Sequence, residues 1–215
     1  IPGTTWRTTD YSLCAGDQNG WALRTDGTMW SWGRNQNGAL GLNNTTSSNY
    51  PLQIPGTTWD KLADGASQSM AAIKTDGTLW TWGYGVAGQL GLNEQTAYSS
   101  PKQVPGTTWR SIRMSNSAAW ATKTDGTLWT WGRNLEGQLG HGQPTNTYVS
   151  SPVQVGSATT WGDKIVQAFP TSIAMMKTDS TLWTWGYNGY GTLGQNNRTT
   201  APTPQQIPGT IWNSI

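Results

Sequence analysis

Short bursts of β-favouring residues alternate along the chain with polar and glycine-rich connections, and nowhere do apolar positions recur at the 3.6-residue spacing of a helix. Two such bursts, residues 118–124 and 127–131, flank the dipeptide Asp125-Gly126. Asp-Gly between β-prone runs predicts a hairpin closed by a two-residue type I′ turn, where glycine supplies positive φ at little cost. Residues 109–114 predict a further strand ahead of this hairpin. About four strands then fall in every fifty residues, as a propeller blade requires.

The pattern repeats. The stretch Lys123-Thr124-Asp125-Gly126-Thr127-Leu128-Trp129-Thr130-Trp131-Gly132 has counterparts beginning at Arg24, Lys74 and Lys177. The turn aspartates Asp26, Asp76, Asp125 and Asp179 keep a fixed offset from the pairs Trp30/Trp32, Trp80/Trp82, Trp129/Trp131 and Trp183/Trp185. A second marker, the Trp closing Ile/Val-Pro-Gly-Thr-Thr-Trp or a close variant, stands at Trp6, Trp59, Trp109, Trp161 and Trp212, spaced by 53, 50, 52 and 51 residues. Self-similarity at this period marks an array of units that bury a shared core by stacking. The expected architecture is all-β: one array of four-stranded blades, with units near 1–53, 54–103, 104–155 and 156–206 and the opening strand of a fifth at 207–215.

Within a unit, the run Gly-x-x-x-x-Gly-Gln-Leu-Gly (residues 132–140) is too glycine-dense for a helix and reads as a tight crossing of backbones. It lacks the Lys-Ser/Thr ending of a phosphate loop. A polar connection follows, and from Gly41, Gly91, Gly140 and Gly194 to the next aligned proline it spans 10, 10, 12 and 10 residues. Length variation therefore collects in the connections where binding specificity usually resides. Tyr50, Tyr98, Tyr148, Asn43, Asn93, Asn146 and Asn196 are the candidate contact residues there, a mixture of flat aromatics and adaptable hydrogen-bonding groups. The fourth unit replaces Asp-Gly by Asp179-Ser180, so Ser must adopt a costly conformation or the turn must change type. That blade is expected to be the least regular.

Fifteen tryptophans in 215 residues invite a sugar-stacking interpretation. Thirteen of them recur once per unit at the two markers, which points instead to packing between units. Trp21 and Trp120 are left over. Five residues before the turn Asp, odd units carry Trp21 and Trp120 and even units Ala71 and Ala174; eight residues after it, Arg34 and Arg133 alternate with Tyr84 and Tyr187. With a two-residue turn, Trp21 would lie opposite Trp32 and Arg34 would stack on Trp21. The alternation suggests growth by duplication of a two-blade unit.

Charge adds exclusions. Thirteen basic and eleven acidic side chains give a net +2 without any Lys/Arg cluster, so the electrostatic footprint of a nucleic-acid binder is missing. No segment approaches a membrane span of about 18 apolar residues. Cys14 has no partner for an internal disulfide and reads as a small buried thiol. No metal-type Cys/His spacing exists, and no cofactor is expected. His141 reads as a solvated loop residue. The turn aspartates are accounted for by turn chemistry, which leaves no convergent titratable groups and argues against an enzyme.

The sequence from residue 123 to 140 closely resembles the repeats of the regulator of chromosome condensation family, and the match extends over all four units. The resemblance implies a β-propeller of four-stranded blades, commonly seven to a ring. The Trp- and Thr-rich form resembles bacterial and bacteriophage versions rather than the nuclear exchange factor, so an extracellular, cell-surface or virion setting is expected ahead of a nuclear one. Guanine-nucleotide exchange is not carried over, because the only histidine lies in a variable loop and no insertion is long enough to form a wedge.

A recognition module that meets a protein or glycan partner through its polar loops is the expected function. A purely structural spacer in a larger assembly is the alternative, and an exchange-factor-like regulator stands third. The chain opens with no initiator Met and no leader-type segment, which reads as a processed product or an excerpt. With the linker strand present at both ends, either continuation in a longer propeller or self-association through the terminal blades is expected.

Overall fold

A computed structural model describes residues 5–63, 68–142, 147–168, 171–209 and 212. Four antiparallel four-stranded sheets follow one another along the chain. Blade 1 comprises β1 (Leu13–Ala15), β2 (Asn19–Leu23), β3 (Met29–Gly33) and β4 (Ser48–Gln53). Blade 2 comprises β5 (Trp59–Leu62), β6 (Ser69–Lys74), β7 (Leu79–Gly83) and β8 (Tyr98–Gln103). Blade 3 comprises β9 (Trp109–Met114), β10 (Ala118–Lys123), β11 (Leu128–Arg133) and β12 (Tyr148–Gln154). Blade 4 comprises β13 (Trp161–Ala168), β14 (Ser172–Lys177), β15 (Leu182–Gly186) and β16 (Ala201–Gln206). In each blade the strands pair in sequence order, as an up-and-down meander.

The central hairpin exists in every blade, but its turn is not the one the dipeptide suggested. The Lys123 amide donates to Thr127 O and the Gly126 amide to Lys123 O, each at 3.0 Å. Among the turn residues only glycine has positive φ, +79° at Gly126, so the loop has three residues: a type I turn followed by a glycine bulge. The physical reason is the threonine that follows. Asp125 Oδ1 accepts from the Thr127 amide at 3.0 Å and from its hydroxyl at 2.7 Å, and the Thr127 hydroxyl accepts from Trp129 Nε1 at 2.8 Å. The same chain of bonds joins Asp26, Thr28 and Trp30, Asp76, Thr78 and Trp80, and Asp179, Thr181 and Trp183. Asp, Thr and the first Trp of the motif are therefore one hydrogen-bonded unit. Ser180 keeps this turn by accepting a φ of 65°. Blade 4 departs elsewhere, since β13 meets β14 with two register shifts.

The extra turn residue moves the register by one. Trp21 stands opposite Ser31, and Gly20 opposite Trp32. Both tryptophans of each pair therefore share one face of their sheet, and Trp21 and Trp120 lie on the other. Arg34 turns to the Gln18 and Gln36 side chains, while Trp21 is fully buried and donates to Ala39 O at 3.2 Å. The stacked Arg34–Trp21 pair expected from a two-residue turn is thus not formed. Cations do meet indoles one step along: Lys74 Nζ lies 4.8 Å from the Trp59 ring and 4.3 Å from that of Trp80, and Lys123, Lys177 and Arg24 repeat the arrangement.

The core is divided among the spaces between blades. Trp21, Leu23 and Met29 of blade 1 meet Trp59, Met70 and Trp82 of blade 2. Ile73 and Leu79 meet Trp109, Ile112 and Trp131, and Trp120 and Leu128 meet Trp161, Met175 and Trp185. Cys14 is buried in the first of these spaces.

Candidate interaction surface

Each space is closed by a joint of one design. After the third strand, the glycine-rich crossing of one blade forms a corner that enters the next. The corner is tied to its own blade by the middle residue of Trp-x-Trp: Ser31, Thr81, Thr130 and Thr184 hydroxyls donate to Leu40, Leu90, Leu139 and Leu193 carbonyls at 2.7–2.8 Å. Its next carbonyl toward the N-terminus receives the second Trp of the following blade, with Trp82 Nε1 to Ala39 O, Trp131 Nε1 to Gln89 O and Trp185 Nε1 to Gln138 O, all at 2.8 Å. Glycine is required here because the backbones touch. A Cβ on Gly38 would lie 2.4 Å from Ser99 Cα, and one on Gly88 2.8 Å from Ser150 Cα.

These joints engage the backbone of two of the asparagines expected as contact residues, Asn43 and Asn93. Asn43, Asn93 and Asn196 have φ of 59°, 63° and 55°, the left-handed region that Asn tolerates better than most side chains. The Asn43 amide donates to Ser99 O and the Asn93 amide to Ser150 O, both at 2.7 Å, which fastens the corner to the outer strand of the next blade. Gly142 does the same in blade 3, to Pro202 O at 2.9 Å. Asn146 lies outside the described residues.

The tyrosines sit on the largely exposed or half-buried fourth strands β4, β8 and β12 rather than in the polar loops where the sequence suggested them. Tyr50 of β4 is 61% exposed and Tyr148 of β12 is 51% exposed. Tyr98 begins β8, donates to Glu94 Oε1 at 2.6 Å and lies under Lys102 Nζ at 5.2 Å. The bond to Glu94 raises the Tyr98 phenol above its usual range. The three occupy different ladder positions, Tyr98 facing Gly83 and Tyr148 facing Arg133. They are one per blade along the rim, and the structure does not gather them into a pocket. A polar cleft of about 110 Å³ lies elsewhere, between blades 1 and 2, lined by Asp17, Gln18, Arg34, Gln36 and Gln68.

The segment just ahead of β1 and the first strands β5, β9 and β13 carry a row that the sequence alone did not reveal. Arg7 Nη1 binds Asp60 Oδ1 at 3.0 Å across blades 1 and 2, Arg110 pairs with Asp163 across blades 3 and 4, and Lys61 Nζ donates to Arg110 O at 2.9 Å between them. Its signal lay in the residue just after each linker Trp, where Arg7 and Arg110 alternate with Asp60 and, one residue further on, Asp163. Asn35 and Asn188 were missed as well. Each is fully buried, and its side chain holds a corner by bonding Leu40 N or Leu193 N and the loop carbonyls of Thr46 or Thr199.

His141 is not the solvated loop residue the sequence suggested. Its Nε2 lies 2.7 Å from the Thr130 hydroxyl and 3.3 Å from Val153 O, and burial pulls its pKa below the usual 6.5. In blade 4, Gln195 reaches the equivalent Thr184 hydroxyl at 3.3 Å. Among the described residues, no three His, Cys, Asp or Glu side chains gather as metal ligands, and no helix is long and apolar enough to cross a membrane.

The model of the Regulator of chromosome condensation (RCC1) repeat matches residues 26–72, 76–117, 125–169 and 179–212, and a second model of that repeat matches 11–39. No curated protein matches the chain. Among solved structures, human WBSCR16 superposes with a TM-score of 0.76 at 22% identity, over 91% of this chain and 51% of that one. Prp20p from Saccharomyces cerevisiae, in a structure concerned with its binding to Gsp1p and histones, gives 0.77 at 17% identity over 95% and 52%. Yeast RCC1 (Prp20) with Kap60 bound gives 0.76 at 18% over 95% and 50%. The chain spans about half the length of these structures.

Proposed function

Because the chain belongs to the Regulator of chromosome condensation (RCC1) repeat family, we propose that it is a non-enzymatic interaction module that takes a protein partner along its outer rim. The observation that carries this reading is the exposure of Tyr50 and Tyr148 on the fourth strands of blades 1 and 3. Exposed tyrosines on a rigid sheet offer large contact area at low entropic cost, which suits them to anchor an interface. The structures superposed on this chain include one concerned with binding to Gsp1p and histones and one with Kap60 bound, which supports a protein rather than a glycan as partner. The aspartates of the repeat engage their own threonines, so their role is in the turn. A setting on a bacterial surface or a virion belongs to the same reading and rests on the Trp-rich form of the repeat.

The test is binding of the immobilised chain to arrays of purified surface proteins and of glycans. A protein ligand is expected, with Tyr148→Ala weakening it about tenfold, equivalent to about 1.4 kcal/mol. Retention of glycans alone would reassign the ligand class, and retention of nothing on either array would favour the structural spacer.

A further inference from the structure

Two of the three joints between blades are filled by a glutamine side chain, and the third is not. Between blades 2 and 3, Gln89 is fully buried: its Oε1 accepts from the Ala87 amide at 2.9 Å, and its Nε2 donates to Asn116 O of the next blade at 3.1 Å. Gln138 holds the same place between blades 3 and 4, where its Oε1 accepts from the Glu136 amide at 2.8 Å. Between blades 1 and 2 the counterpart is Ala39, which has no carboxamide to offer the Asn37 amide. The backbone does not demand this change, because Ala39 O and Gln138 O alike accept two indoles. The polar cleft of about 110 Å³ opens at this position, with Asn37 and Ala39 in its wall beside Gln36 and, from blade 2, Gln68. Both blades that form the joint lie within the chain. The cleft has several times the roughly 10–15 Å³ that one water needs.

The lining suits a neutral polar group. Asp17 and Arg34 both border the cleft and offset each other's charge, so an ion of either sign gains little there. Arg34 donates to Gln18 Oε1 and to Gln36 Oε1, which turns the oxygens of these carboxamides to the guanidinium and leaves their amide protons as donors. Their counterparts in blade 3 are Ser117 and Leu135, so this equipment is particular to blade 1. The Asn37 amide adds a further donor, and the Asp17 carboxylate and Gln68 carboxamide supply acceptors. An occupant that carries both a carbonyl oxygen and an NH2 group meets both kinds.

We infer that the cleft takes the carboxamide of a glutamine side chain from a protein partner, which completes this joint as Gln89 and Gln138 complete theirs. On the template of Gln89, its oxygen accepts from the Asn37 amide and its nitrogen donates toward blade 2. That a protein supplies the group rests on the function proposed above; that the site selects a carboxamide does not.

The test is an NMR titration of the isotope-labelled chain with glutamine capped as N-acetyl-glutamine methylamide. Saturable shifts of the Asn37 and Gln68 amide signals are expected. The capped forms of leucine and glutamate are expected to bind roughly tenfold more weakly, as loss of a hydrogen bond or two implies. Ala39→Gln, which copies Gln138, is expected to abolish the shifts and to raise the urea midpoint, so that a misfolded variant is not mistaken for a filled cleft. Gln68→Ala, on an exposed residue, is expected to weaken binding severalfold. The rim tyrosines do not line the cleft, so Tyr148→Ala is expected to leave this titration unchanged, and failure here is distinct from failure of the rim interface. Absence of saturable shifts, equal binding of capped leucine, or shifts that survive Ala39→Gln overturns the proposal. Free glutamine binding more tightly than the capped form overturns a protein as its source.

Discussion

Thr127 shows how much one hydroxyl decides. It donates to Asp125, accepts from Trp129 and so selects a three-residue turn where the dipeptide alone permits two. Asp-Gly was legible as a hairpin; the register was not, because the glycine conformation serves both turn types and only the threonine bond separates them. The one-residue difference then displaced Arg34 from the indole it had been expected to cover. Ser180 tests the same site from the other side. Its φ of 65° is borne by glycine in the three sister turns, so Ser180→Gly is expected to raise stability by roughly 0.5–1 kcal/mol in urea unfolding.

The turn carboxylates also set an acid limit. Thr28, Thr78, Thr127 and Thr181 bonds hold Asp26, Asp76, Asp125 and Asp179 below the usual 3.8. Folded pKa values below the unfolded ones give stability that is present above about pH 4 and lost as pH falls through the folded values. Replacing all four by Asn, which keeps the turn acceptor without titrating, is expected to flatten the urea midpoint between pH 4 and 2. An unchanged acid slope would place the loss elsewhere.

At the level of the element, the corner and the Trp-x-Trp strand form a matched pair. The repeat register marked the tryptophans as packing residues, but the indole nitrogen's target could not be read from sequence, because a backbone carbonyl offers no side chain to recognise. For the same reason the use of the Asn43 and Asn93 backbone amides in the joint could not be read from sequence, and both residues remain exposed beside it. Trp131→Ala is expected to cost about 3–5 kcal/mol, as removal of a fully buried indole does. Trp129→Ala, on a partly exposed ring, is expected to cost less than half as much by the same measurement.

His141 gives this element a pH response of its own. With its folded pKa below the usual 6.5, the stability it contributes is complete above that value and declines as pH falls beneath it. His141→Gln, which copies the side chain of blade 4, is expected to remove the decline between pH 6.5 and 5.

Across the whole molecule, four like sheets and an all-β array were legible because the repeat fixes strand count and spacing together. Tyr50, Tyr98 and Tyr148 were legible as one residue of each polar connection in three units, though not their place on the fourth strands. The ionic row was not, since two ordinary pairs of surface charge show no pattern until the blades align them. That row carries a rule of parity. Arg7 faces Asp60 and Arg110 faces Asp163, so arginine and aspartate alternate from blade to blade. A closed circle of such blades keeps unlike charges adjacent all the way round only if their number is even; an odd count would set two arginines or two aspartates side by side.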